Sequence, residues 1–246
     1  MKIIKLNAID STNSFLKELV QDSLVEDYTV VVAESQTSGR GQMNNSWHSK
    51  PFKNLTFSIF TKLQGLQTHH QPYLNFAVSN AIFEALNEMS VPDLKIKWPN
   101  DIMSGNLKIC GVLIETTLSN QNIKNTIIGI GLNVNQEKFP NHLRNASSLK
   151  NILKKELDLD TIMNSLIEKI QYEISNLEAL QLGTIHENYL KHLYKLETPA
   201  AFKDEESGLF FMGIIKGVST EGNLLIQLED DSVKEFGIKE VSLAKG

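Results

Sequence analysis

Arginine is nearly absent from this sequence. Of its 24 basic residues only Arg40 and Arg144 are arginines; the rest are lysines. A guanidinium is the side chain best suited to a bidentate grip on phosphate or carboxylate, so the placing of those two matters. Cysteine is scarcer still. The single Cys110 excludes an intrachain disulfide and points to a reducing, cytoplasmic setting. No stretch approaches the ~20 apolar residues of a membrane span. The opening Met1-Lys2-Ile3-Ile4-Lys5 carries no signal-peptide core, so no membrane association is expected. Positive charge is not in excess either: the formal net charge is -5 and no basic stripe is evident, which argues against a nucleic-acid partner. The six histidines lack metal-ligand spacing, so no protein-held metal is expected. Without a Gly-x-Ser-x-Gly elbow, a hydrolase reading has little support.

What is present is an ordinary globular composition, 41% hydrophobic and 22% charged, over a length that suits one large domain or two unequal ones. Asp10-Ser11-Thr12-Asn13 offers capping side chains ahead of a helix with Phe15, Leu16, Leu19 and Val20 at helical spacing. Strands are expected over 28–33, 55–59, 94–98, 109–118 and 126–134, with a hairpin turn at Ser104-Gly105-Asn106. Helices are expected over 72–89, 146–156, 159–180 and 184–193. From about Thr198 the apolar segments shorten, and turn signals recur at Ser207-Gly208, Glu221-Gly222-Asn223 and Asp230-Asp231. That spacing suggests four or five strands in a small barrel. At roughly fifty residues such a unit is marginal alone and should lean on the rest. The division expected is 1–195 and 196–246.

Four segments could carry chemistry. Gln36 to Trp47 holds Gly39-Arg40-Gly41-Gln42, a loop whose glycines let backbone N–H groups approach an anion while Arg40 adds charge-assisted bonds. It is neither a P-loop nor a dinucleotide fingerprint, because no Gly-Lys-Ser/Thr follows and no helix directly succeeds the glycines. Trp47 can wall a flat ligand or pin the loop to the core. In Lys97-Trp98-Pro99-Asn100-Asp101, Pro99 ends a strand and leaves Asn100 and Asp101 projecting. A carboxylate there can bind Mg²⁺ or orient an attacking amine. Lys108 opens an apolar strand after a tight turn; at a pocket mouth it can neutralise charge building on a phosphate. Cys110, two residues on, should share its face and reads as packing. Gly111 follows, and Gly129-Ile130-Gly131-Leu132-Asn133 clears one face of another strand for something to approach.

In this order the segments resemble the biotin–protein ligases, over the whole chain; Lys97-Trp98-Pro99-Asn100-Asp101 beside Gly39-Arg40-Gly41 is the specific pair. The resemblance implies an α/β (α+β) fold, a mixed sheet flanked by helices followed by a small SH3-like β-barrel. It also implies a two-step reaction, in which biotin and Mg·ATP give biotinyl-5′-AMP and pyrophosphate, and a lysine of a biotin carboxyl carrier protein then takes the biotin. ATP, biotin and Mg²⁺ are the implied cofactors. Matched by motif, Ser11, Thr12, Asn13 and Gln36 would hold the ureido head, and Gly39, Arg40, Gly41 and Gln42 the adenylate. Trp47 and Trp98 would be aromatic walls, Lys108 would meet carboxylate and α-phosphate, and Asp101 would act on Mg²⁺ or the incoming amine. Asn100, Gly111, Gly131 and Asn133 complete the implied ligand-binding set; Lys108, Asp101 and Arg40 are the catalytic candidates. Gln42 and Asn45 stand where arginines are common, and Asn44 where a glycine is. Only ten residues precede Ser11, too few for the DNA-binding module some relatives carry, so no DNA binding is expected. A monomer or weak homodimer is expected. A lipoate or octanoate transferase is the nearest alternative. A non-catalytic biotin sensor is the other, and would be expected to lack Lys108 or Asp101.

Overall fold

The computed structural model describes residues 1–63 and 65–244, apart from the side chain of Asn44. Its first strand, β1 (Ile3–Ile9), is one the apolar pattern does not announce. Lysine interrupts the run, and as a sheet edge the strand exposes much of its length. Next come α1 (Thr12–Asp22), β2 (Thr29–Gln36) and β3 (Leu55–Lys62). The long helix expected over 72–89 is α2 (Gln71–Glu88), with proline in its first turn, where a missing N–H costs nothing. Four antiparallel strands follow: β4 (Leu94–Lys97), β5 (Asp101–Ser104), β6 (Leu107–Ser119) and β7 (Asn122–Leu132). The hairpin at Gly105-Asn106 joins β5 to β6 as its turn residues predict. The helix expected over 146–156 contracts to α3 (Leu149–Leu153), because Lys154 turns left-handed at φ 58° and ends it. The segment closes with α4 (Leu159–Glu178), capped by the Asp158 carboxylate on Thr161 N, and α5 (Leu182–Lys191).

The strands form one mixed sheet in the order β1-β2-β3-β7-β6-β5-β4, parallel only between β1 and β2. Strand parity assigns its two faces. Phe57, Ile59, Val112, Ile128 and Ile130 point to one side, into the core shared with α2, α4 and α5. Val31, Phe60 and Ile127 point to the other, where Leu16 of α1 covers them. Thr56, Ser58, Gly129 and Gly131 share that second face by alternation, so α1 covers only part of it.

The tail forms a separate five-stranded antiparallel sheet where the small barrel is expected: β8 (Pro199–Asp204), β9 (Phe210–Val218), β10 (Leu224–Gln227), β11 (Val233–Phe236) and β12 (Val241–Leu243), in the order β11-β10-β9-β8-β12. Each turn singled out in the sequence contains a left-handed residue, Gly208, Gly222 or Asp231. The sheet does lean on its neighbour. Phe202, Ile215 and Ile226 belong to the same hydrophobic core as the large sheet. Trp98 Nε1 donates to Gly222 O at 2.9 Å, and His186 Nε2 lies 2.7 Å from Val218 O. Among the described residues no helix is long and apolar enough to cross a membrane.

Candidate functional site

Between the α1 face of the large sheet and the C-terminal sheet lies a cleft of about 1540 Å³. Its polar end is built at the start of α1. Ser11 occupies the N-cap position but makes no capping bond; the side chains after it turn inward toward the sheet. Thr12, Asn13 and Ser58 are all buried. Ser58 Oγ lies 2.7 Å from Thr12 Oγ1 and 2.5 Å from Asn13 Oδ1. Gln36 Oε1 accepts from Thr12 N at 2.8 Å and Thr12 Oγ1 at 3.2 Å. Hydroxyls and amides held this way form a fixed set of donors and acceptors in a low-dielectric wall.

The glycines of β6 and β7 make this possible. A Cβ at Gly129 would lie 2.2 Å from Asn13 Oδ1, and one at Gly131 would lie 2.3 Å from Trp47 Cε2. Gly111, which pairs with Gly131, faces Trp47 and the end of Lys108. The face cleared by these glycines is therefore occupied, by an amide from α1 and an indole from the glycine-rich loop. Of the two roles open to Trp47, the structure places its ring against the sheet, within the cleft wall.

Arg40, Gly41, Gln42 and Trp47 line the cleft. Loop geometry comes from Gly41 N donating to Asn45 O, Trp47 N donating to Gly39 O, and left-handed Met43 at φ 54°. Gly39 lies outside the cleft lining; it lets the loop close, since a Cβ there would meet Trp47 O at 2.5 Å. Arg40 does not project freely. Its Nη2 donates to Glu115 Oε1 at 2.8 Å, while Glu115 Oε2 accepts from Asn13 Nδ2 at 2.9 Å and Lys17 Nζ stands 3.9 Å away. Burial pushes the Glu115 carboxyl up, but hydrogen bonds from Arg40 and Asn13 outweigh it and leave the group below its ordinary value.

Lys108 and Asp101 meet on the β5–β6 strand pair, with Nζ 2.6 Å from Oδ1. The contact is an ion pair without hydrogen-bond alignment, and Oδ1 is buried. Lys108 Nζ also lies 5.6 Å from the centre of a Trp47 ring. The expectation that Cys110 shares its face is corrected here. The β5–β6 register skips Ile109, so a bulge re-aims Lys108 toward Gly111 while Cys110 turns into the core. Burial pushes the Cys110 thiol up to about 12. The thiolate fraction at pH 8 is then roughly 10⁻⁴. Cys110 should therefore resist iodoacetamide until the protein unfolds; rapid alkylation of the native protein would contradict this burial.

Asn100 lines the cleft but spends its side chain on structure, Nδ2 donating to Val112 O at 2.5 Å. Trp98 lines it from the side of the C-terminal sheet. Asn133 is buried behind the cleft rather than in its wall. Two participants escaped sequence reading. Ser58 sits in an apolar strand, and Glu115 ends an apolar segment whose Gly111-Leu113-Glu115 parity places it on the glycine face.

Comparison with known proteins places this geometry. A family model described as the Biotin/lipoate A/B protein ligase family matches residues 6–133. The bifunctional ligase/repressor BirA of Bacillus subtilis is 27% identical over 242 residues, covering 97% of this chain and 71% of the relative. BirA of Escherichia coli is 27% identical over 246 residues, covering 97% and 73%. The biotin protein ligase from Aquifex aeolicus in complex with biotin and ATP superposes with a TM-score of 0.83 at 28% identity, covering 100% of this chain and 99% of the other.

Proposed function

The chain belongs to the biotin/lipoate A/B protein ligase family, and from that premise we infer that it is a biotin–protein ligase. It forms biotinyl-5′-AMP from biotin and ATP, then transfers biotin to a lysine of a biotin carboxyl carrier protein in the cytoplasm. The observation that carries the choice of substrate is the buried cluster of Thr12, Asn13 and Ser58. A ureido head offers one carbonyl acceptor and two N–H donors, which hydroxyls and amides can match. The dithiolane of lipoate and the methyl end of octanoate offer no hydrogen bond to that polar wall.

In the first step a biotin carboxylate oxygen attacks the α-phosphorus of ATP; a P–O bond forms, the bond to the bridging oxygen breaks, and pyrophosphate leaves. Lys108 meets the charge gathering on the α-phosphate, and Asp101 fixes where that ammonium sits. In the second step an uncharged carrier amine attacks the acyl carbon, the bond from that carbon to the AMP oxygen breaks, and AMP and one amine proton leave an amide behind. Among the described residues no cluster of three or more His, Cys, Asp or Glu could hold an ion. Mg²⁺ is taken as part of the nucleotide substrate, with Asp101 the carboxylate beside Lys108.

The decisive measurement is ATP–pyrophosphate exchange with biotin, lipoate and octanoate as separate acyl substrates. Exchange should depend on biotin; a preference for either of the others would overturn the reading. A smaller effect is expected at Gln42, whose buried Oε1 has no partner among the described residues. A neutral bond is worth ~1 kcal/mol less than the charge-assisted bond an arginine would make. Gln42→Arg should therefore slow escape of biotinyl-adenylate by somewhat under tenfold. Preloaded protein freed of nucleotide, with released adenylate trapped by hydroxylamine, would measure it; equal or faster escape counts against a gating role.

A further inference from the structure

We propose that Arg144 binds the departing β,γ-phosphates of ATP, supplying from the far wall the positive charge that the glycine-rich loop does not offer. The proposal rests on the ligase reading above and on the charges of the cleft. Six lysine and arginine side chains line it: Arg40, Lys97, Lys108, Arg144, Lys203 and Lys239. Arg40 is taken by Glu115, Lys108 by Asp101 and Lys203 by Glu205, and Lys97 has interactions of its own. Gln42 and Asn45 are uncharged. The loop thus presents a neutralised guanidinium and two amides to a leaving group that carries several negative charges.

Arg144 is exposed and pairs with no acid among the described residues. Its backbone is fixed beside the reacting centre. Lys108 N donates to Asn145 O at 2.6 Å, and Ser147 N donates to Lys108 O at 3.0 Å. The same segment touches the end of the glycine-rich loop, where His142 packs edge-on against His48 at 5.5 Å and His48 Nε2 lies 2.9 Å from Ser46 Oγ. Arg144 thus lies between Asn145, bonded to the backbone of Lys108, and His142, packed on His48, which places it where a nucleotide held by Lys108 and the loop would extend. The planar guanidinium fork suits two phosphate oxygens at once. Lys239, the other lysine or arginine of the cleft lacking an ion pair among the described residues, lies in the turn between β11 and β12, away from Lys108 in the fold.

The pyrophosphate leaves after the first step, so the two half-reactions separate this role from others. Arg144→Ala should raise KM for ATP and for pyrophosphate about tenfold in biotin-dependent exchange, corresponding to ~1.4 kcal/mol. KM for biotin should stay within about twofold, and Arg144→Lys should recover part of the loss. Transfer from preformed biotinyl-adenylate to the carrier should proceed at the wild-type rate. Because Arg144 is exposed, the melting temperature should not move, and Arg144→Gln gives a second neutral variant of closer size. Unchanged KM values for ATP and pyrophosphate in both neutral variants would overturn the proposal. So would an equal loss in the transfer step, which would place Arg144 on the adenylate or on Lys108 instead. Wild-type protein without biotin-dependent exchange would remove the ligase reading and this inference together.

Discussion

Lys108→Ala is expected to fold normally and to form biotinyl-adenylate about 10²–10³-fold more slowly, the loss typical of removing one preorganised donor aimed at developing charge. The lysine is partly exposed and serves no core, so stability should hardly change. Biotin affinity should survive, because the cluster proposed to hold its polar head, Thr12, Asn13 and Ser58, lies at the α1 end of the cleft. Part of the loss has a second origin: without its ammonium, Asp101 turns an unpaired carboxylate toward an anionic substrate. Asp101→Asn in the Lys108→Ala background should therefore recover a measurable fraction of the rate. Lys108→Arg should also be poor, since a planar guanidinium cannot take the place of a compact ammonium beside Asp101. Single-turnover adenylate formation, with biotin binding measured separately by calorimetry, tests all three. A wild-type rate for Lys108→Ala would remove the assignment.

Gly129→Ala should damage the site from beneath. Its Cβ would meet Asn13 Oδ1 at 2.2 Å, and Asn13 is a short buried side chain tied to Ser58 and Glu115, so it cannot swing away cheaply. Displacing it unpairs buried polar groups and moves the head-binding wall, which should weaken biotin binding roughly ten- to hundredfold. Gly183→Ala is the matched control. Nothing lies within 4 Å of its Cβ in α5, so the change should be neutral or slightly stabilising. Calorimetric titration with biotin distinguishes the two, and undiminished binding by Gly129→Ala would show that Asn13 is dispensable.

The parts legible in the sequence were those governed by neighbours in the chain. Alternation in Leu55-Thr56-Phe57-Ser58-Ile59 predicts β3 because each parity meets a different layer. The tail's turns are readable because left-handed residues are needed at fixed places. Lys108, Asp101 and Arg40 could be placed near one another only by resemblance to a family, not by pattern. What could not be read depends on partners distant in sequence. Glu115 acquires its role from Asn13 and Arg40, 102 and 75 residues away. Ser58 looks like the polar half of an ordinary strand until α1 is laid over it. The bulge that redirects Lys108 is invisible because nothing in Lys108-Ile109-Cys110 announces a skipped pair. β1 is missed because an exposed edge strand needs little apolar periodicity.

Trp47 and Gly131 bind each other's histories. With an indole where it now lies, residue 131 can carry no side chain; with a side chain at 131, the loop must hold its aromatic elsewhere or do without one. Neither can drift alone, so the route by which such a site arises has a direction: the bare stretch of strand comes first, and the aromatic settles on it afterwards. A designer transplanting the loop onto another sheet inherits the same sequence of steps, and would have to clear a place in the strand before grafting anything above it.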